Sequence, residues 1–210
     1  MANNAVFVLL AGGKSDRMGL AKGLLKYRHT FWILEQLERI SKSNIATVYI
    51  GLGYNYHHYI DAIPWFLDAA KDFTDFQDLK VKVVINPTPE FGSFSTLQTV
   101  LNDIDIKSDI VINPIDVPIL CHLELNKIIN AEKKVVIPAF ESKKGHPLKI
   151  TYEFRKRLLA LKISDKSARL DVQIKKLDLA KISIIEVKDK SILQNINTRQ
   201  EWNSFLEESS

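Results

Sequence analysis

The chain of 210 residues contains 46% hydrophobic and 26% charged residues and has a formal net charge of +4, the ordinary composition of a globular protein. The length suits one domain with a substantial core, so we expect residues 1–210 to form a single domain. Lysines and arginines are dispersed along the sequence, which argues against a nucleic-acid partner. The lone Cys121 excludes an intrachain disulfide and a multi-cysteine zinc site.

The N-terminal sequence lacks the features of a targeting segment. No basic stretch precedes the apolar run 5–11, and Gly12 and Gly13 end this run too early for a signal peptide or a membrane span. We therefore expect a cytoplasmic protein without a membrane partner.

Short apolar runs alternate with stretches of helical periodicity. The runs expected to form strands are 5–11, 45–50, 81–85, 110–112, 135–138 and 182–187. The helical repeats are Phe31, Leu34, Leu37 and Ile40 after Thr30 as N-cap, then Phe94, Leu97 and Leu101, then Leu158, Leu159 and Leu161. Alternation of this kind predicts an α/β fold with a mainly parallel sheet and right-handed crossovers.

The stretch 54–78 has the least regular pattern. Pro64 interrupts it, and we expect a helix followed by a long surface connection. Its acidic residues, Asp68, Asp72, Asp75 and Asp78, are interpreted as a solvated face rather than a metal site.

The first apolar run leads directly into a loop that contains Gly12, Gly13, Arg17, Gly19 and Lys22. Ligands of open α/β sheets lie at the carboxyl ends of strands, where this loop is expected. Glycine amides can approach phosphate oxygens closely, and the two cationic side chains can bind phosphate charge. The spacing fits neither a Walker loop nor a dinucleotide fingerprint. A glycine turn with surface bases is the alternative, but the combination favours a phosphate-binding loop.

This loop resembles the signature L-A-[AG]-G-x-S-x-R-M-G-x-x-K-x-L-L of the molybdenum cofactor nucleotidyltransferases, the cytidylyltransferase- and guanylyltransferase-like members of the nucleotide-diphospho-sugar transferase superfamily. The matching positions are Leu10, Ala11, Gly12, Gly13, Ser15, Arg17, Met18, Gly19, Lys22, Leu24 and Leu25. The resemblance implies a three-layer α/β/α domain with a Rossmann-like mixed sheet. It also implies that the segment from Leu10 to Gly13 lines the nucleotide, while Arg17 and Lys22 hold the triphosphate and act in catalysis.

Two further segments suggest a metal site. Asp116 follows the run 110–112 and lies where the family carries D-x-P, so the resemblance implies that it binds Mg²⁺, a cation that prefers oxygen ligands. Near the C-terminus, Asn197 occupies the position of a second carboxylate in many relatives. We interpret Asn197 as a second, uncharged oxygen ligand; the alternative is a residue that simply precedes a helix capped by Thr198.

Three other segments resemble family motifs. Ser93 and Ser95 lie in a stretch similar to G-x-x-S-S-L, which implies contact with the base and ribose; helix capping by Ser93 is the alternative. Gly145-His146-Pro147 resembles the G-H-P of the cytidylyltransferase branch, on the acceptor side. The stretch 165–169 is similar to G-D-x-G-A-R of that branch, but Ser164 and Ser167 replace both glycines.

The residues together predict a Mg²⁺-dependent nucleotidyltransferase. It would transfer a nucleoside monophosphate from a nucleoside triphosphate, CTP being favoured, to a phosphorylated small-molecule acceptor of the molybdopterin type and release pyrophosphate. The alternatives are a guanylyltransferase, a sugar- or alcohol-phosphate nucleotidyltransferase, and a non-catalytic nucleotide sensor or partner subunit. We expect a monomer or small homo-oligomer, with a molybdoenzyme or chaperone as its protein partner.

Overall fold

The computed structural model describes residues 5–208. It is built around a nine-stranded sheet with helices on both faces. In chain order the strands are β1 (Val6–Leu10), β2 (Lys26–Tyr27), β3 (Thr30–Phe31), β4 (Thr47–Leu52), β5 (Thr74–Phe76), β6 (Leu79–Ile85), β7 (Ile110–Pro114), β8 (Val135–Phe140), β9 (Lys143–Lys144), β10 (Leu148–Ile150) and β11 (Ile182–Glu186). Strands β2 and β3 form a separate pair.

The order of the large sheet is β11-β8-β10-β7-β1-β4-β6-β5, with β9 paired to β8. Strand β1 lies parallel to both β4 and β7, β6 continues parallel from β4, and β11 is parallel to β8. Strands β5, β9 and β10 pair antiparallel to their neighbours. The sheet is therefore mainly parallel in its long strands and mixed overall, as predicted.

Each face of the sheet is covered by its own group of helices, which are α1 (Trp32–Ser41), α2 (Tyr56–Ala62), α3 (Phe66–Ala69), α4 (Ser93–Asp103), α5 (His122–Asn130), α6 (Tyr152–Leu159), α7 (Leu170–Lys175) and α8 (Arg199–Glu208). One core contains side chains of α1, α2, α3, α5 and α8, and the other contains side chains of α4, α6 and α7. Alternate β1 residues enter opposite cores, Phe7 and Leu9 the first, Val6 and Val8 the second. Burial on both faces explains why the strands read as continuous apolar runs.

All six predicted apolar runs form strands, but the details differ from the sequence-based expectations at several points. Thr30 lies in β3 and does not cap α1; Phe31 precedes that helix and makes no side-chain capping bond. The stretch 54–78 contains α2, α3 and β5 rather than one helix and a long surface connection. Cys121 follows an apolar run, a position that favours packing in the core, but it is exposed and directly precedes α5.

Two features are absent from the described part of the chain. No helix within residues 5–208 has the length and apolar character needed to cross a membrane. The same range contains no group of three or more histidine, cysteine, aspartate or glutamate side chains arranged to hold a metal ion.

Candidate active site

A cleft of about 1170 Å³ opens at the carboxyl ends of β1, β4 and β7. Here the residue that follows one strand is hydrogen-bonded to the adjacent strand. The Ala11 N–H, directly after β1, donates to Gly51 O of β4 at 2.8 Å. The Ile115 N–H, directly after β7, donates to Leu10 O of β1 at 2.9 Å. Parallel strands place their carboxyl ends at one edge, which is why segments distant in sequence meet at this point.

The glycine loop lines the cleft from Leu10 to Arg17. A side chain at Gly12 would come within 2.7 Å of Thr96 Oγ1 and 3.2 Å of the backbone nitrogen of Gly53. Gly13 has nothing within 4 Å of the position that a Cβ would occupy. Gly12 is therefore required by packing within the protein, whereas the bare backbone of Gly13 faces open cleft.

Lys22 contacts Asp116 and Asn197, two residues that were predicted from other motifs to belong to the same site. Its Nζ donates to Asp116 Oδ2 and to Asn197 Oδ1, each at 2.8 Å. The Lys22 and Asp116 side chains are only 14% and 22% exposed, so water screens this ion pair less than a surface pair. A carboxylate oxygen and an amide oxygen thus converge on one cation.

The Asp116 loop is fixed by bonds from its neighbours. The buried Trp32 donates from Nε1 to Ile115 O at 2.8 Å, and Asn113 donates from Nδ2 to Val117 O at 2.8 Å. Both bonds are made to backbone carbonyls on either side of Asp116. They hold the loop so that the Asp116 carboxylate faces the cleft and Lys22.

Asn197 is held just before α8. Its Nδ2 donates to Asn195 O at 2.9 Å, and the adjacent Ile196 N–H donates to Asp116 O at 2.8 Å. The α8 side chains Trp202 and Phe205 pack against Trp32, with ring centroids 5.3 and 5.1 Å away. The two oxygen-bearing segments are therefore bonded to each other and share an aromatic anchor.

The two serines assigned to nucleotide binding have different surroundings. Ser93 begins α4 and lines the cleft. Ser95 does not line it; its buried Oγ donates to Gly92 O at 2.7 Å and accepts from Asn86 Nδ2 at 2.8 Å. Ser95 thus supports the turn into α4, where Gly92 has a φ of +86° that favours glycine.

The Gly145-His146-Pro147 segment lies across the cleft from the glycine loop. Gly145 and His146 line the cleft, while Pro147 is buried behind them. Burial lowers the pKa of the His146 imidazole, against the opposing effects of the Asp116 charge and a hydrogen bond to the Ile112 backbone. His146 Nδ1 has no hydrogen-bond partner among residues 5–208.

The cleft also contains residues that the sequence did not single out. Tyr54 and Phe91 line it, as does Thr96, which lies one turn into α4. Tyr54 follows a predicted strand end, a position that could have identified it. Arg169, seen only as part of a motif, lines the cleft and pairs with Asp171 at 3.1 Å.

Basic side chains predominate along the cleft. Its charged lining residues, taken from the described part of the chain, are Lys14, Arg17, Lys22, Lys144, Arg169 and Lys175 against Asp16, Asp116 and Asp171. An excess of positive charge in a concave site attracts anionic ligands. The arrangement is suited to a triphosphate beside a phosphorylated second substrate.

The fold, the glycine loop and the charged cleft are those of a nucleotidyltransferase. The family model described as MobA-like NTP transferase domain matches residues 7–177, and the chain belongs to this family. Its substrate is accordingly a nucleoside triphosphate. Asn197 and α8 lie beyond the matched range. No curated protein matches the sequence at a significant level.

Solved structures confirm the nucleotide-diphospho-sugar transferase fold. Rv0371c from Mycobacterium tuberculosis is 21% identical, with a TM-score of 0.76 over 99% of each chain. Its complex with manganese is 19% identical, with a TM-score of 0.70 over 97% of this chain and 98% of that one. A nucleotidyl transferase from Methanothermobacter is 17% identical, with a TM-score of 0.76 over 98% and 97%. At these identities the likeness shows the fold alone.

Proposed function

We propose that the protein transfers a nucleoside monophosphate from a nucleoside triphosphate to the phosphate of a small-molecule acceptor, with Mg²⁺, and releases pyrophosphate. The observation that carries this proposal is the convergence of Asp116 Oδ2 and Asn197 Oδ1 on Lys22 Nζ, each at 2.8 Å. This pair of oxygens lies in the same cleft as the glycine loop and Arg17.

The donor atoms suit a hard divalent cation. One carboxylate oxygen and one amide oxygen already point at a common positive charge, and Mg²⁺ prefers few protein oxygens together with waters and substrate phosphates. We therefore assign Asp116 and Asn197 as metal ligands. When bound there, Mg²⁺ would neutralise phosphate charge and favour departure of pyrophosphate.

The remaining residues act by position and charge. A phosphate oxygen of the acceptor attacks the α-phosphorus in line, the new P–O bond forms, and the bond to the bridging oxygen breaks as pyrophosphate leaves. Arg17 and Lys22 bind the triphosphate and stabilise the charge that grows on the leaving group. The nucleotide lies along Leu10, Ala11, Gly12, Gly13 and Ser93; Ser95 acts indirectly, through the turn into α4.

CTP as donor and a molybdopterin-type acceptor are the finer part of the proposal. They are based on Gly145-His146-Pro147, whose His146 ring faces the same cleft as Lys22 and Asp116. A guanylyltransferase is the second candidate, because the Gly12-Gly13 pair resembles that branch. We further propose that residues 1–210 form one domain and act in the cytoplasm, as a monomer or small homo-oligomer.

A thermal-shift panel tests the proposal. CTP, GTP, ATP and UTP are added with and without Mg²⁺ to the wild type and to Asp116→Ala, since a ligand that binds the folded state raises its apparent stability. We expect CTP to give the largest Mg²⁺-dependent shift and Asp116→Ala to remove that dependence. A larger Mg²⁺-dependent shift with GTP than with CTP would identify GTP as the donor. An unchanged Mg²⁺ effect in Asp116→Ala would overturn the metal assignment.

A further inference from the structure

The residues just before α8 form a tight turn around the Glu201 side chain. Glu201 Oε2 accepts hydrogen bonds from the backbone N–H groups of Asn197 at 2.7 Å and Thr198 at 2.8 Å. In return the Glu201 N–H donates to Thr198 Oγ1 at 3.2 Å. Thr198 and Glu201 thus form a capping box, with Thr198 as the N-cap of α8.

The bond from Asn197 to Glu201 is additional to this capping box. Capping needs only the reciprocal contacts between Thr198 and Glu201, whereas the Asn197 N–H lies outside the helix.

The contact of Asn197 with Lys22 depends on the orientation of the side-chain amide more than a contact from a carboxylate would. An amide carries one acceptor oxygen and one donor nitrogen, so a rotation of the group would turn Nδ2 toward Lys22. The bond from Nδ2 to Asn195 O opposes this rotation, and the bond from the Asn197 N–H to Glu201 fixes the backbone from which the side chain projects. Together the two contacts favour the position of Oδ1, 2.8 Å from Lys22 Nζ.

We propose that Glu201 is a positioning residue, which fixes the backbone of Asn197 so that the Asn197 amide oxygen points at the cation site shared with Asp116. The inference rests on the proposed function in one respect, the assignment of Asn197 as a ligand. It extends that function to a side chain outside the family match, which ends at residue 177.

The structure also indicates that the effect of Glu201 is local. Helix α8 is anchored through Trp202 and Phe205, whose rings pack against Tyr27 and Trp32. These contacts do not involve Glu201, so we expect α8 to remain docked when the carboxylate is removed. The change would then be confined to the turn that carries Asn197.

Binding of Mn²⁺ to the purified protein, measured by electron paramagnetic resonance of the free ion, tests the inference. Outer partners of metal ligands typically alter affinity by 10- to 100-fold when removed. We expect Glu201→Ala and Asn197→Ala each to weaken Mn²⁺ binding about tenfold. Glu201→Gln should stay within about twofold of the wild type, because its amide oxygen can still accept both N–H bonds.

Thr198→Ala is the matched control. It removes the Thr198 Oγ1 acceptor and therefore weakens the cap of α8, but it leaves the Asn197 bond to Glu201 in place. We expect it to lower the melting temperature as Glu201→Ala does while binding Mn²⁺ like the wild type. A loss of affinity in Thr198→Ala equal to that in Glu201→Ala would overturn the positioning role, since general weakening of α8 would then explain both.

The failures of the two proposals can be told apart. Wild-type Mn²⁺ affinity in Glu201→Ala together with a tenfold loss in Asn197→Ala overturns the role of Glu201 and leaves the metal site standing. Wild-type affinity in both Asp116→Ala and Asn197→Ala overturns the metal site itself, and the positioning role with it.

Should Glu201→Ala not fold, Glu201→Asp provides the test. This variant keeps the charge but shortens the reach to the Asn197 N–H, so the inference requires it to lose Mn²⁺ affinity.

Discussion

Lys22 is the residue on which the two oxygens converge, and this gives it two separable effects. Its ammonium binds Asp116 and Asn197, the same atoms that we assign to a divalent cation. Like charges repel strongly at such separations, especially in a partly buried site. The ammonium should therefore compete with a divalent cation for these oxygens, and the proposed function requires that it leave them to bind the triphosphate.

Lys22→Gln is expected to change turnover and metal affinity in opposite directions. Turnover should fall roughly a hundredfold or more, as when other electrostatic donors are removed. Mn²⁺ affinity of the nucleotide-free protein should not fall and is expected to rise, because the competing charge is gone. Pyrophosphate release and Mn²⁺ titration measure the two effects. Lys42→Gln, at an exposed position directly after α1, is the control; near-native turnover in Lys22→Gln would refute the assigned role.

The two adjacent glycines provide a matched pair of substitutions. Gly12→Ala should destabilise the protein, because the new methyl group meets Thr96 and the Gly53 backbone. Gly13→Ala should leave the melting temperature within a few degrees of the wild type and weaken nucleotide binding at least tenfold, since the methyl group enters open cleft where phosphates approach. Thermal melts and nucleotide titrations measure both. If Gly13→Ala bound nucleotide as tightly as the wild type, the phosphates would not lie beside Gly13.

Individual site residues were predictable to the extent that they belong to a motif. Arg17, Lys22 and Asp116 are read from the signature and the strand-end D-x-P, and the structure brings Lys22 and Asp116 into contact. Ser95 shows the limit of such reading, because a serine that lines a pocket and one that supports the turn beneath it have the same letter. The roles of Thr96 and Phe91 depend on packing between segments, which no local pattern encodes.

At the scale of secondary structure, β10 is one of the elements that the sequence pattern did not predict. The strand is only three residues long, and its middle residue is Lys149, 1% exposed. A charged residue interrupts the apolar pattern by which the other long strands were recognised. Lys149 is tolerated because its Nζ donates to Ile129 O and Ala131 O at 2.8 Å and pairs with Asp109 at 3.0 Å. It thereby supplies positive charge at the carbonyl end of α5.

Lys149→Met is expected to lower the free energy of unfolding by about 3–5 kcal/mol, the usual cost of removing one partner from a buried ion pair. The loss arises because two carbonyls and a carboxylate lose their shared donor. Urea denaturation at neutral pH measures it. Lys127→Met, at an exposed position of α5, should stay within about 0.5 kcal/mol of the wild type. Equal stability in both variants would show that Lys149 is dispensable.

At the scale of the whole molecule, the partly buried His146 links stability to pH. Burial lowers its folded pKa below the usual value of about 6.5. The unfolded chain therefore takes up the proton first as the pH falls. The contribution of neutral His146 to stability is complete above pH 6.5 and decreases as the pH falls below that value toward the folded pKa.

His146→Gln should flatten this part of the stability curve. We expect the wild type to lose more free energy of unfolding between pH 7.5 and 5.5 than the variant does, since glutamine does not titrate. Urea melts across this interval measure the difference. His122→Gln, at an exposed position in the first turn of α5, should retain the slope of the wild type. Parallel curves for wild type and His146→Gln would contradict a buried neutral imidazole.

The bond between Lys22 and Asn197 joins residues 175 positions apart in the chain, and this separation has a consequence during synthesis. Ribosomes add about 5–20 residues per second, so Lys22 and Asp116 emerge seconds before Asn197 and α8. Strands β8, β10, β7, β1, β4 and β6 can pair in that interval. A nascent chain would thus acquire its sheet and glycine loop first. If Asn197 has the proposed role, transfer of nucleotides would begin only after residue 197 leaves the ribosome.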